Sequence, residues 1–288
     1  MTNVKPKKLH TSVISSVIKW IVVVIFTLYA ITLIFPLLWM AANSLKSAHD
    51  FVFTGIWSLP KTPVFSNYSQ AFSLKVKNFT VLKMFFNSLF ISVVATVLTL
   101  AQSSMAAYVI AKYKFKLKNF IYAVAVSIML IPTVGSTAAT YKLLNQLHLY
   151  NTYIGLFLLY AGGFGLSFLL LHAFFKNISW SYAEAAKADG ASNFRVFIQI
   201  MLPQARAVLV SLAIIQFIGF WNDYFTPYLF LTAKPTLSLG IEKLVATLSN
   251  NAPVAFALMF VSVVPVLIIF IVFQKTIMNN TTTGGLKG

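Results

Sequence analysis

The chain has 288 residues, 59% of them apolar and 9% charged, a mean hydropathy of +0.82, and 22 Lys and Arg against five acids. About a quarter of a soluble domain is charged, so this chain is composed for a bilayer. Its cations sit in short gaps between apolar runs, not in one stripe beside stacking aromatics, which excludes a nucleic-acid partner and assigns them to topology; with no cysteine, disulfide and thiol chemistry are excluded.

Lys5, Lys7 and Lys8 precede an apolar run from about Trp20 to Ala42. That run is longer than a signal-peptide core of about 7–15 residues and long enough to cross a bilayer, which takes about 20 helical residues. An uncleaved first span is expected, behind a cytoplasmic segment 1–16. In all, six apolar stretches of spanning length occur near 17–42, 85–111, 120–137, 152–175, 207–231 and 254–274. Each must satisfy its own backbone hydrogen bonds in lipid, so the pattern predicts an all-α integral membrane protein with six transmembrane helices in one domain, 17–274. A β-barrel would alternate in short strands. Pro36, Pro132 and Pro265 are expected to kink or end their helices. Gly162, Gly163 and Gly165 are expected to give the fourth span a small face for close helix contact.

Fourteen Lys and Arg fall on gaps and span ends assigned inside, against eight outside; Lys112, Lys114, Lys116 and Lys118 form the densest group. This places both termini in the cytoplasm and the 176–206 loop on the same side. The polar, Gly-rich tail within 275–288 is expected to be mobile unless a partner holds it.

Residues 184–203 form a polar island in this apolar chain. Ser181 and Glu184 have capping-box spacing, and Glu184 sits in a first turn, where its charge suits the positive helix end. Ala185 and Ala186 keep one face thin, Gly190 can end the helix in the left-handed conformation, and Ser192 can cap the next. Two short helices joined by a sharp bend are expected. On capping alone, an ordinary amphipathic helix held at the membrane surface by Phe194, Phe197 and Ile198 is the favoured explanation of the segment, because capping boxes are common.

The spacing Glu184-Ala185-Ala186, three residues, Gly190, nine residues, Ile200-x-Leu202-Pro203 resembles the EAA coupling loop of binding-protein-dependent ABC importer permeases. Asn43-Ser44-Leu45-Lys46, Trp57-x-Leu59-Pro60 and Asn67-Tyr68 are similar to family segments around the first outer loop. Phe220-Trp221-Asn222-Asp223-Tyr224 resembles a segment of the carbohydrate-importing branch, and Gly284–Gly288 the end of the smaller permease of maltose-type importers. The resemblance covers about residues 17–288. It implies the type I ABC importer permease fold and half of a translocation path, in a prokaryotic inner membrane, for a sugar such as a maltodextrin. It also implies partners: a second homologous permease, two cytoplasmic ATP-binding subunits and an extracytoplasmic solute-binding protein. Glu184, Ala185, Ala186, Asp189, Gly190 and Ala191 would then dock the ATPase by contact and shape. ATP and Mg would be bound by the ATPase subunits, since this chain has no Gly-x-x-x-x-Gly-Lys-Ser/Thr loop.

Asp223 is the one acid within an apolar span, and such acids are expensive enough to be functional candidates. Trp221, Asn222, Asp223 and Tyr224 would offer a sugar an aromatic face and hydrogen-bonding groups; alternatively, Asp223 caps or pairs locally. Asn87, Gln102 and Gln216, with Ser103 and Ser104, are further polar candidates for the path, although such residues more often join neighbouring helices. His172 reads as interfacial. No metal-binding or catalytic constellation is evident. Two rival readings remain: an ion-coupled secondary carrier using Asp223, against which the lack of a visible repeat counts, and an intramembrane transferase, which would need more catalytic groups.

Overall fold

The computed structural model describes residues 13–131, 133–248 and 250–283. In chain order these form α1 (Val13–Ser44), α2 (Ala48–Phe53), α3 (Ser66–Ser73), a hairpin of β1 (Lys75–Val76) and β2 (Phe79–Thr80), and α4 (Val81–Lys112). Next come α5 (Lys118–Ile128), a 3-10 turn Thr133–Ser136, α6 (Thr137–Gln146), α7 (Tyr153–Tyr160), α8 (Leu166–Asn177) and α9 (Ser181–Ala188). The remainder is α10 (Asn193–Gln204), α11 (Arg206–Asn222), α12 (Phe225–Phe230), α13 (Leu237–Val245) and α14 (Ala252–Thr283).

Helix α4 is the centre of the bundle, packing most extensively against α8 and α11. Its contact face is small or hydroxylated (Ser88, Ser92, Ala95, Thr99, Ser103, Ala107), so neighbouring backbones approach closely. Helix α1 packs on α14 and otherwise stands clear of the bundle, with apolar side chains such as Trp20, Phe26 and Leu33 more than half exposed. Among the described residues, three helices are long and apolar enough to cross a membrane, α1, α4 and α14, or four if the bent pair α10–α11 is one span.

Three expected spans are therefore interrupted. The fourth breaks at 161–165, where the glycines open the helix instead of supplying a contact face. A Cβ on Gly162 or Gly165 would meet nothing within 4 Å, and each glycine costs a helix about 1 kcal/mol relative to alanine. The Thr99 hydroxyl donates to the freed Tyr160 carbonyl at 2.9 Å. The fifth breaks at Asp223–Tyr224, where the Asp223 carboxylate accepts from the Thr226 N–H at 3.0 Å and the Ser238 hydroxyl donates to the Asp223 carbonyl at 2.9 Å. At both breaks, freed backbone groups find partners inside the protein. The third expected span is helical only to Ile128, and Pro132 lies outside the described residues. Pro36 and Pro265 do not end their helices. The expected mobile tail is helical to Thr283; the rest of it, like residues 1–12, lies outside the described residues.

The segments that follow α1 converge. The Asn67 amide donates to the Ser44 and Lys46 carbonyls at 2.8 and 2.7 Å, the Tyr68 and Ser44 hydroxyls lie 2.6 Å apart, and Asn43 and Trp39 both donate to the Ile56 carbonyl. Lys46 is fully buried, with its ammonium on the Gly55 carbonyl at 2.9 Å. Burial holds its pKa below the ordinary lysine value, with Asp50 opposing that shift.

Candidate functional site

Helix α9 and the first turns of α10 form an exposed knob. The expected capping box is not made: α9 starts from Trp180 without a side-chain cap, and the Ser181 N–H instead donates to the Ser179 hydroxyl at 3.3 Å. The bend is as expected. Gly190 has φ +82°, the Ala191 N–H reaches the Ala186 carbonyl at 2.9 Å, and the Gly190 N–H reaches the Lys187 carbonyl at 3.0 Å. Those two bonds make a Schellman turn, which satisfies carbonyls that the helix end would leave free. Ser192 caps α10 through the Arg195 N–H.

Ala183 is fully buried and Ala186 half-buried, so one face of α9 seats on the core formed by Tyr108, Phe175, Val196, Phe197 and Met201. The opposite face, Glu184, Ala185, Lys187, Ala188, Asp189 and Gly190, is exposed. Lys187 lies over the Trp180 ring at 5.1 Å and the Tyr113 ring at 5.7 Å, pinning α9 to the end of α4. Of the residues expected to hold a surface helix, Phe197 is buried while Phe194 is 68% exposed. A π-helical turn at Phe197–Met201 leads into Pro203, whose ring crowds the carbonyl four residues back. The helix ends at Gln204, and α11 leaves at 79° to α10.

Toward the opposite end, the two broken helices meet. The Tyr160 hydroxyl, at the end of α7, donates to Asp223 at 2.9 Å, and its ring lies 4.5 Å from that of Phe220. Asp223 thus links both breaks while capping α12. Trp221 is buried, stacked on Phe217, with its indole N–H donating to the Ser262 carbonyl at 3.0 Å. Asn222 and Tyr224 are exposed and, with Ser238, Ser262 and Glu242, line a cavity of about 320 Å³.

Of the other polar candidates, Gln216 and Asn87 bond across elements, whereas Ser104 bonds within α4, to the Ala101 carbonyl at 3.0 Å. Gln216 donates to the Ser167 hydroxyl at 2.9 Å, and Gln102 lies half-buried against Gly163. Asn87 donates to the Lys234 and Pro235 carbonyls at 2.9 and 3.0 Å and accepts from the Tyr153 hydroxyl at 2.8 Å. Asn87→Ala is expected to cost about 1–3 kcal/mol by stranding these groups, read as a lowered Tm in detergent; an unshifted Tm would contradict it.

The profile of the family described as binding-protein-dependent transport system inner membrane component matches residues 103–278. This chain belongs to that family. The permease is 30% identical over 268 residues to the arabinooligosaccharides transport system permease protein AraQ of Bacillus subtilis (strain 168), covering 91% of this chain and 94% of that relative. It is 32% identical over 266 residues to the diacetylchitobiose uptake system permease protein NgcG of Streptomyces coelicolor, covering 90% and 86%. A solved structure of a bacterial ABC transporter involved in the import of the acidic polysaccharide alginate superposes with a TM-score of 0.74 at 21% identity, over 94% of this chain and 99% of that one. At that identity the likeness shows the fold, which is that of an ABC importer permease. The permease is a membrane subunit of a transport system and not itself an enzyme. The ion-coupled carrier reading has no support from these relatives.

Sequence reasoning passed over Glu242 and Tyr160 in the permease. Glu242 lies in the nine-residue α13, outside every apolar run. Tyr160 was hidden because the break that exposes its hydroxyl was read as continuous helix.

Proposed function

We propose that this permease forms half of the translocation path of an ATP-driven carbohydrate importer in a prokaryotic inner membrane. It works with a second homologous permease, two cytoplasmic ATP-binding subunits and an extracytoplasmic solute-binding protein. Six spans are the reading, the third and fourth assembled from α5 and α7–α8 and the fifth from α11–α12, with both termini cytoplasmic. The names of AraQ and NgcG, which refer to arabinooligosaccharides and diacetylchitobiose, support a carbohydrate cargo.

The observation that carries the coupling role is the exposed, bent knob Glu184–Ala191, seated on the core through Ala183 and Ala186. A partner that grips the knob moves α10, and with it the elbow into α11. Nucleotide state would then bias the path between inward- and outward-facing forms. At the path, Asn222, Tyr224 and Glu242 offer an oligosaccharide an amide, a phenol and a carboxylate around one cavity.

The test is mass spectrometry of what accompanies the tagged permease out of its native membrane in mild detergent, followed by ATPase assays with oligosaccharide-loaded binding protein. A second permease and an ATPase in fixed ratio, with hydrolysis stimulated by the loaded binding protein, are expected. A chain that purifies alone across gentle detergents would overturn the proposal. In the assembled importer, Glu242→Gln is expected to raise the half-saturating substrate concentration several-fold, since exchanging a charge-assisted hydrogen bond for a neutral one forfeits about 1 kcal/mol; an unchanged value removes Glu242 from the path.

A further inference from the structure

At the same end of the molecule as the knob, a second cavity opens between the end of α4, the first turns of α5 and the last turns of α8. Its volume is about 330 Å³, and its polar lining is Lys118, Asn119, Tyr122, His172 and Lys176 above Ile110 and Ala111. None of the chain's five acids, Asp50, Glu184, Asp189, Asp223 and Glu242, lines it. Two lysines therefore converge on one space without a counter-ion. Lys118 gives one N–H to the Ala111 carbonyl at 3.3 Å and keeps two for another acceptor. The His172 ring is held 4.7 Å from Tyr122 and 5.9 Å from Phe168. Behind the pocket, the Lys112 ammonium donates to the Ile178 carbonyl, adding a further positive charge.

Leu117, just before α5, and Phe120 and Val124 on it are exposed apolar side chains, at 61%, 66% and 37% exposure, on the face of the helix opposite Lys118, Asn119 and Tyr122. The pocket itself lies where the apolar α4 gives way to a lysine-rich gap, the level at which the head of an anionic lipid meets the basic residues of a membrane protein. We propose that this pocket binds the phosphate of an anionic phospholipid, with Lys118 and Lys176 as counter-ions and Asn119 as a further donor. Assigning that lipid to the cytoplasmic leaflet rests on the orientation proposed above; the binding itself does not.

The purified full-length permease, with whatever subunits accompany it, is offered equal amounts of phosphatidylglycerol and phosphatidylcholine with identical chains, and native mass spectrometry counts what stays bound. Wild type is expected to retain phosphatidylglycerol about 25-fold over phosphatidylcholine, and Lys118→Gln/Lys176→Gln to bring the two near parity, at roughly fivefold per lysine. Lys114→Gln/Lys116→Gln, which removes the same charge from the exposed gap, should keep the preference. Parity in wild type, or equal loss in both double variants, overturns the pocket. Displacement of phosphatidylglycerol by millimolar inorganic phosphate overturns the lipid assignment in favour of a free anion. If the Lys118→Gln/Lys176→Gln protein does not purify, Lys176→Gln at its exposed position decides, with about a fivefold loss expected and no loss overturning the idea. Retention is scored without transport, so a failure here leaves the importer reading standing, and a failure of that reading leaves this result intact.

Discussion

Gly190→Val should leave the complex assembled and hydrolysing ATP while uptake falls by roughly 5–30-fold. A Cβ at Gly190 meets nothing within 4 Å, so the substitution is free of collision and acts only on the backbone. At φ +82° a residue with a Cβ sits in the left-handed region, which costs about 1–2 kcal/mol, and one to two kcal/mol changes a population about 5–30-fold. The Schellman bonds from Ala191 and Gly190 then loosen, and Glu184 and Asp189 no longer hold a fixed relation to α10. Gly190→Asn should fall between glycine and valine, because asparagine tolerates this region better than most residues. Wild-type uptake from the valine protein would sink the coupling role.

Asp223→Ala should destabilise the permease by about 2–4 kcal/mol: loss of a helix cap costs about 1 kcal/mol, and a stranded polar partner about 1–3 kcal/mol. The Thr226 N–H and the Tyr160 hydroxyl lose their acceptor together. The expected readouts are a lower Tm and less assembled complex. Asp223→Asn retains a carbonyl for Thr226 and presents an amide that Tyr160 can accept from, so it should assemble. Its apparent substrate affinity then separates the two roles: an altered half-saturation places Asp223 on the path, whereas normal transport constants with lost assembly restrict it to holding the breaks. An alanine protein that melts and assembles like wild type would contradict the holding role.

Much of this was legible in the residues. Every apolar run contains helix, because apolar length is what a bilayer demands and hydropathy counts it. The Gly190 turn and the Ser192 cap were readable because they are local, set by one residue's backbone freedom and one hydroxyl's reach. The breaks were not: Ala161–Gly165 and Asp223–Tyr224 carry enough apolar neighbours to keep hydropathy high, while the interruption is a matter of backbone. Three glycines in four positions were the available signal, and close packing was the competing account of them. The Ser181 cap is not made because α9 starts one residue earlier than the spacing suggests, with Trp180 at its cap, and the Ser181 N–H goes to the Ser179 hydroxyl two residues back. Glu242 was invisible to a search confined to spans, since only folding carries α13 to the cavity lined by Asn222 and Tyr224. Between α1 and α4, Asn67 and Lys46 are 21 residues apart, and nothing local announces that one amide ties them together.

The 79° elbow at Ala205 gives the permease a crank. Helix α10 spans about 18 Å and the 17-residue α11 about 25 Å at the usual helical rise. Turned as one body about the elbow, a sideways displacement of about 2 Å at the Asn193 end, the size of ordinary helix shifts, becomes a swing of about 6° and carries the far end of α11 through about 3 Å. That far end is Asn222, adjoining the Asp223–Tyr160 joint. A small tug on the knob therefore arrives at the cavity as leverage, larger than it began.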